Sequence, residues 1–256
     1  MSHPSLLIVA AALSLTAAQT PAPPADFAAL TGRLEKAALN DDTQGVKDSR
    51  SAFLQMLAAA PAARTGAGAP TAALLHYTVA YADWRLAYSP KLTPAEQSGM
   101  LDDAVEQLEH AMKLEPAFAE AHGLLSSIYG AQISKNPDLG ATLGMAFGEV
   151  LGRALSLDPN SPRLLMARGV SLMHTPVEYG GDPKQGETVL RQALESFAKE
   201  PAGKAWPNWG LADTHLWLGQ ALAGRGDNEG ARAEYKAALE LAPGNGRAKG
   251  LLAQLK

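Results

Sequence analysis

Two stretches near the start of the chain place apolar residues at helical spacing: 26–39, with Leu30, Leu34, Ala37 and Ala38, and 43–60, with Phe53, Leu54 and Leu57. Residues 61–70 interrupt that pattern with two prolines and two glycines and read as a flexible connection. From Thr71 onward the spacing predicts helix after helix, punctuated by proline and glycine. The leading helices of successive pairs fall at 71–88, 117–133 and 162–174.

The punctuation recurs. Leu114-Glu115-Pro116, Leu157-Asp158-Pro159 and Leu241-Ala242-Pro243 each close a helix, with Lys199-Glu200-Pro201 as a weaker fourth. Their prolines stand 43, 42 and 42 residues apart, a period that signals stacked helical units. The last unit is the clearest. Gly219 lies inside its first helix, Gly226 marks the turn, Asp227 caps the next helix, and Ala231, Tyr235, Ala238 and Pro243 follow. Small residues at 219 and 231 let two antiparallel helices approach, while Tyr235 fills the space beyond. Residues 212–245 thus resemble the tetratricopeptide repeat. Ala104, Leu108, Ala111 and Pro116, and again Ala154 and Pro159, keep the spacing of its second helix. A repeat core of about 34 residues inside the longer period places insertions at 89–97, 134–144, 175–182 and 202–208.

The expected fold is therefore all-α: a tetratricopeptide-like helical-repeat superhelix, or α-solenoid, preceded by an N-terminal helical pair. Its parts are a signal peptide at 1–18, the helical pair with its linkers at 19–70, and a repeat domain at 71–256. Repeats fall at about 71–116, 117–159, 160–201 and 212–245, with a capping helix after them.

Composition agrees with helices. Hydrophobic residues make up 46% of the 256, mostly Ala and Leu, and aromatics only 6%. A net charge of −4 with no basic run excludes the concentrated positive face that nucleic acid requires. The absence of cysteine excludes disulfides, thiolate metal sites, cysteine nucleophiles and an N-terminal lipid-bearing Cys. The first acidic residue is Asp26, and before it an apolar run from Leu6 to Ala18 matches the core of a signal peptide. Thr16 and Ala18 offer small residues for cleavage near Gln19, which predicts a periplasmic or secreted protein, although no Lys or Arg precedes the run. An uncleaved anchor and an unstructured tail are the alternatives. No later segment is apolar and long enough to span a membrane.

Several local runs sharpen the resemblance. They are Tyr81-Ala-Asp-Trp84-Arg85-Leu-Ala-Tyr88, the run from Ala119 through His122 and Tyr129 to Gly130, Asp158-Pro159-Asn160-Ser161-Pro162-Arg163, Thr175-Pro176 with Gly180-Gly181, and Trp209-Gly210. Together, across 74–252, they resemble a family of exported bacterial tetratricopeptide-repeat proteins. That resemblance implies the fold and an exported location but no activity. Stacked repeats form a concave groove lined by the first helix of each repeat, and the expected function is a non-catalytic module that holds a protein or peptide partner there. In this register the groove displays Arg163, Met166, Val170, Met173, His174, Asp213, Leu216 and Gln220, joined by Trp84 and Arg85. Apolar anchors would enter between helices while Arg163, His174, Asp213 and Gln220 fix orientation. Peptide-clamping relatives carry basic residues at slots occupied here by Gly123, Ser127, Met166, Val170, Leu216 and Gln220, so a carboxylate clamp of their type is not expected. The alternative is a small-solute-binding protein of the periplasm, its pocket closed by the 134–144 and 175–182 insertions.

Signals for chemistry are sparse. His76, His110, His122, His174 and His215 lie in predicted helices with no two three or four apart, so none forms a helical metal pair. His122 and His215 occupy equivalent packing positions, and His174 stands at the mouth of an insertion. Gly169-Val-Ser171 lacks the closing glycine of a nucleophile elbow, and no phosphate loop is present. No enzyme activity, cofactor or metal is expected. Gly140, Gly144, Gly148 and Gly152 recur every four residues. Either the first of them lie in the insertion and the rest allow close packing on the preceding helix, or Gly144 and Gly148 form a flat surface for a homo-oligomer. Trp206 and Trp209 read as wedges between the third and fourth repeats, or as a stacking platform for a ligand.

Overall fold

The computed structural model describes residues 27–59, 71–201 and 206–255. The expected signal peptide, the 61–70 connection and part of the 202–208 insertion lie outside the described residues. Within them the chain forms eleven α-helices and no strand. In order they are α1 (Phe27–Leu39), α2 (Thr43–Ala59), α3 (Ala72–Leu86), α4 (Pro94–Leu114), α5 (Ala119–Lys135), α6 (Gly140–Leu157), α7 (Pro162–His174), α8 (Pro183–Phe197), α9 (Leu211–Gly224), α10 (Asn228–Leu241) and α11 (Gly246–Gln254).

The helix ends follow from local chemistry. A residue before proline is pushed out of the α region. Glu115, Asp158 and Ala242 accordingly take φ −138°, −145° and −139°, and each ends its helix just before the repeated proline. The weaker fourth signature differs, because α8 stops earlier, at Phe197. Starts are equally explicit. Thr93 and Glu96 form a capping box, and Asp182 accepts from the Lys184 and Gln185 N–H groups with Pro183 in the first helical position. Gly226, at φ 88°, ends α9, and Asp227 caps α10 by accepting from the Gly230 N–H.

Each helix packs on the next, and α1, α3, α5, α7 and α9 also touch in succession. These alternate helices form the inner layer of a solenoid, with α2, α4, α6, α8 and α10 outside. The N-terminal pair α1–α2 continues this stack as a further hairpin on α3. Close approach is set where the sequence placed it: a methyl group at Gly219 would overlap the Tyr235 ring, and Ala231 is fully buried. Two expectations are corrected. Most of the 134–144 insertion is helical, since a 3-10 turn at Pro137–Leu139 leads into α6 at Gly140. Gly144, Gly148 and Gly152 do not pack on the preceding helix, for nothing lies within 4 Å of a Cβ built at any of them. Each such glycine costs about 1 kcal/mol of helix propensity relative to Ala without any gain in packing.

Candidate functional site: a concave face closed on itself

The inner helices bring the predicted groove residues to one side, but the walls of the groove meet. From α3, Tyr77, Tyr81, Trp84 and Arg85 point inward. Arg85 Nη1 donates to both carboxylate oxygens of Asp213 on α9, at 3.0 and 3.1 Å, and Nη2 donates to the Ala38 carbonyl at 3.0 Å. Both side chains of this pair are about seven-eighths buried, 14% and 13% exposed. Burial disfavours the guanidinium, yet Asp213 outweighs it and holds Arg85 firmly protonated. The seam continues at the α1–α2 turn, where Asn40 and Asp41 accept from the Gly244 and Gly246 N–H groups, each at 2.7 Å. The first and last hairpins therefore touch, and Arg85 joins three helices of the ring.

The connection between α8 and α9 fills the interior. The Trp206 ring sits edge-on to Tyr81 at 5.1 Å between centroids, and Trp209 lies 4.9 Å from Tyr81 and 5.4 Å from Trp84. The Trp209 indole N–H donates to the Tyr77 hydroxyl at 2.9 Å. These indoles thus reach across to the first repeat domain helix rather than wedging the third repeat from the fourth. Below them Arg163 is enclosed, its side chain 1% exposed. Its Nε donates to Glu120 at 2.9 Å, Nη1 to the Trp209 carbonyl at 3.1 Å, and the guanidinium also pairs with Glu200. A buried guanidinium is tolerated only with such saturation, and none of it is left for a partner.

The ten predicted groove residues accordingly divide. Arg85, Asp213 and Arg163 are consumed in internal ion pairs, and Trp84 is half-buried in the aromatic cluster. Met166 and Leu216 are core residues, 3% and 2% exposed. Val170 is partly buried against that core, and Met173 lies over Gly186 of α8. His174 and Gln220 remain at the open edge. His174 meets the Trp217 ring edge-on at 5.3 Å, and Arg247 of α11 lies 4.2 Å over that same ring. Arg247 also donates to Gln220 Oε1 at 3.2 Å. Partial burial and the Arg247 charge hold His174 below its ordinary pKa. On α1, burial and Asp213 push the Glu35 carboxyl up.

Sequence reasoning missed Tyr77, Tyr81, Trp217 and Arg247. Nothing in the repeat register distinguishes them from packing residues. It also missed Arg50, which pairs with Asp83 and, at 3.1 Å, with Asp103, tying α2 to α3 and α4. The signal available was Asp83, the one acid of α3, set between apolar residues. His122 Nε2 donates to the Pro116 carbonyl, 3.1 Å away, and His215 pairs with Glu234 at 2.6 Å, so both are engaged locally. His76 and His110 do meet, from α3 and α4, but as stacked rings 5.2 Å apart.

An α-solenoid built of such hairpins defines a helical-repeat protein. Residues 212–245 match the family profile described as Tetratricopeptide repeat, so the last full hairpin of the solenoid is a repeat of that type. No curated protein matches it in sequence. Among solved structures it resembles TTC0263, a thermophilic TPR protein of Thermus thermophilus, at 18% identity and TM-score 0.58 over 88% of this chain and 98% of that one. It also resembles the HusA haemophore from Porphyromonas gingivalis, at 22% identity and TM-score 0.59 over 77% of this chain and 94% of that one. At these identities the likeness is one of fold.

Proposed function

We propose that this chain is an exported, non-catalytic scaffold that binds a protein or peptide partner at its concave side. The observation that carries the reading is the convergence on that side of aromatic and guanidinium groups from α3, α7, α9 and α11, ending in the accessible edge of His174, Trp217, Gln220 and Arg247. Trp and Arg dominate the energetics of protein interfaces, and a guanidinium preset over an indole presents both at little ordering cost. The exposed glycines of α6 offer a separate surface for a second copy of the chain; Gly144→Leu with Gly148→Leu would abolish that oligomer in sizing with light scattering.

The test is capture from an envelope extract by the mature protein and by a Trp217→Ala, Arg247→Ala variant of intact fold. A protein retained only by the unaltered chain supports the reading and its edge. Equal capture by both forms moves the partner to another face, and capture by neither overturns the scaffold reading. Export is tested on its own by N-terminal sequencing of the periplasmic fraction, with a first residue near Gln19 expected.

A further inference from the structure

Resting on that reading, we infer that the concave face is a peptide groove occupied in cis by the chain's own Trp206–Asp213 segment. The groove's partner is accordingly a segment with two aromatic side chains three residues apart and a carboxylate four residues further on. Connection length is the first observation. Repeat hairpins are joined by four residues between α4 and α5, between α6 and α7, and between α10 and α11, but by thirteen between α8 and α9. The excess carries Trp206, Pro207 and Trp209, which no turn between adjacent helices requires.

The segment is held as peptides are held. Two indoles enter an aromatic wall made by Tyr77, Tyr81 and Trp84, with one indole N–H donating to the Tyr77 hydroxyl. One main-chain carbonyl, that of Trp209, accepts from Arg163, and the carboxylate of Asp213 takes the bidentate Arg85 contact. Side-chain anchors, a main-chain contact and a charge lock all come from the segment, and all their counterparts come from helices α3 and α7. The fit is incomplete. The Tyr81 hydroxyl and the Trp206 indole N–H are buried without a hydrogen-bond partner among the described residues, which is destabilising for each group. A trans segment that gave the Tyr81 hydroxyl a partner, while releasing the Trp206 N–H to water, would compete well against the cis one.

The experiment uses a fluorescein-labelled peptide of residues 206–214 and a protein in which Trp206→Ala and Trp209→Ala vacate the groove. Anisotropy titration should show saturable binding to the vacated protein. Binding to the unaltered chain should be at least tenfold weaker, because a tethered competitor acts at an effective concentration of order mM. A peptide with both Trp replaced by Ala should not bind, and one carrying Asp213→Asn should bind about tenfold less tightly. A vacated protein with unaltered helical circular dichroism and elution that fails to bind at 1 mM-scale peptide, on the order of the tethered concentration, overturns the inference. Should the double variant lose helix, Asp213→Asn in the full chain loosens the cis segment while leaving Arg85 for the peptide's carboxylate, and failure of added peptide to bind there overturns it equally. Envelope capture separates this result from the scaffold reading. Greater capture by the vacated protein supports both, whereas equal capture by vacated and unaltered protein leaves the scaffold and removes the cis occupant.

Discussion

Arg85→Ala tests whether the closed ring holds the fold together. The substitution removes a bidentate pair between residues 128 positions apart and the bond to the Ala38 carbonyl, leaving Asp213 without its partner at 13% exposure. Breaking a buried pair by deleting one member costs about 3–5 kcal/mol, because the surviving charge stays desolvated. Residual exposure of Asp213 lets some water reach it, which brings the expected loss to about 2–4 kcal/mol. Asp213→Asn keeps an acceptor for the guanidinium and should cost less, about 1.5–3 kcal/mol, the scale of a hydrogen bond to a charged group.

The assay is urea unfolding followed by circular dichroism, for Arg85→Ala and Asp213→Asn and, to complete a double-mutant cycle, for Arg85→Met, Asp213→Leu and the two combined. With a slope of about 3 kcal/mol per M, the Arg85→Ala midpoint should fall by roughly 1 M. The double variant should recover much of the loss, since two apolar side chains in place of a buried ion pair are often neutral. The cycle should therefore show a coupling energy above about 1 kcal/mol. Additive singles, each under about 0.5 kcal/mol, would refute the reasoning and mean that the ends of the ring contribute nothing to each other.

Burial pushes the Asp83 carboxyl up to about 7, from an ordinary 3.8, against the opposing pull of Arg50. Its favourable contribution is complete below about 4 and lost as pH rises through about 7, so the difference in urea midpoint between Asp83→Asn and the unaltered chain should move in the variant's favour across that window. Gly219→Ala forces a methyl into the Tyr235 ring and should cost about 1–3 kcal/mol, while Gly144→Ala meets open space and should gain up to about 1 kcal/mol; opposite shifts in thermal midpoint check the pair. His174, lowered by burial and by Arg247, should titrate by NMR below the ordinary 6.5, and Arg247→Ala should raise it.

Helix ends at the repeated prolines were legible because they are written in single residues with one conformational consequence. A proline two residues past the last helical leucine forces the intervening residue out of the α region, so 115, 158 and 242 end their helices alike. The small-aromatic pairing of Gly219 with Tyr235 was legible for the same reason, being local to one hairpin. Which groove residues stay accessible was not. Arg163 and His174 stand on one helix in a register that presents both to the inner layer, yet one is saturated by Glu120, Glu200 and the Trp209 carbonyl while the other is exposed. That distinction depends on how far the superhelix curls, a sum of small rotations between neighbours that no single spacing encodes.

Curvature also explains why the long α8–α9 connection matters more than its composition suggests. An insertion in an open solenoid would extend a rim and leave the inner face available, as the 175–182 loop does with Val177 and Tyr179 exposed at 74% and 78%. Here the first and last hairpins already meet at Asn40 and Gly244, so chain added on the inner side has nowhere to go but across the ring. Two indoles then become core, Trp206 and Trp209 at 8% and 3% exposure, although both belong to a loop. Ring closure and loop insertion are thus one structural event, each depending on the other. Weakening the Arg85–Asp213 contact should loosen the indoles, and removing the indoles should loosen the seam, a reciprocity that linkage requires of any two contacts sharing one equilibrium.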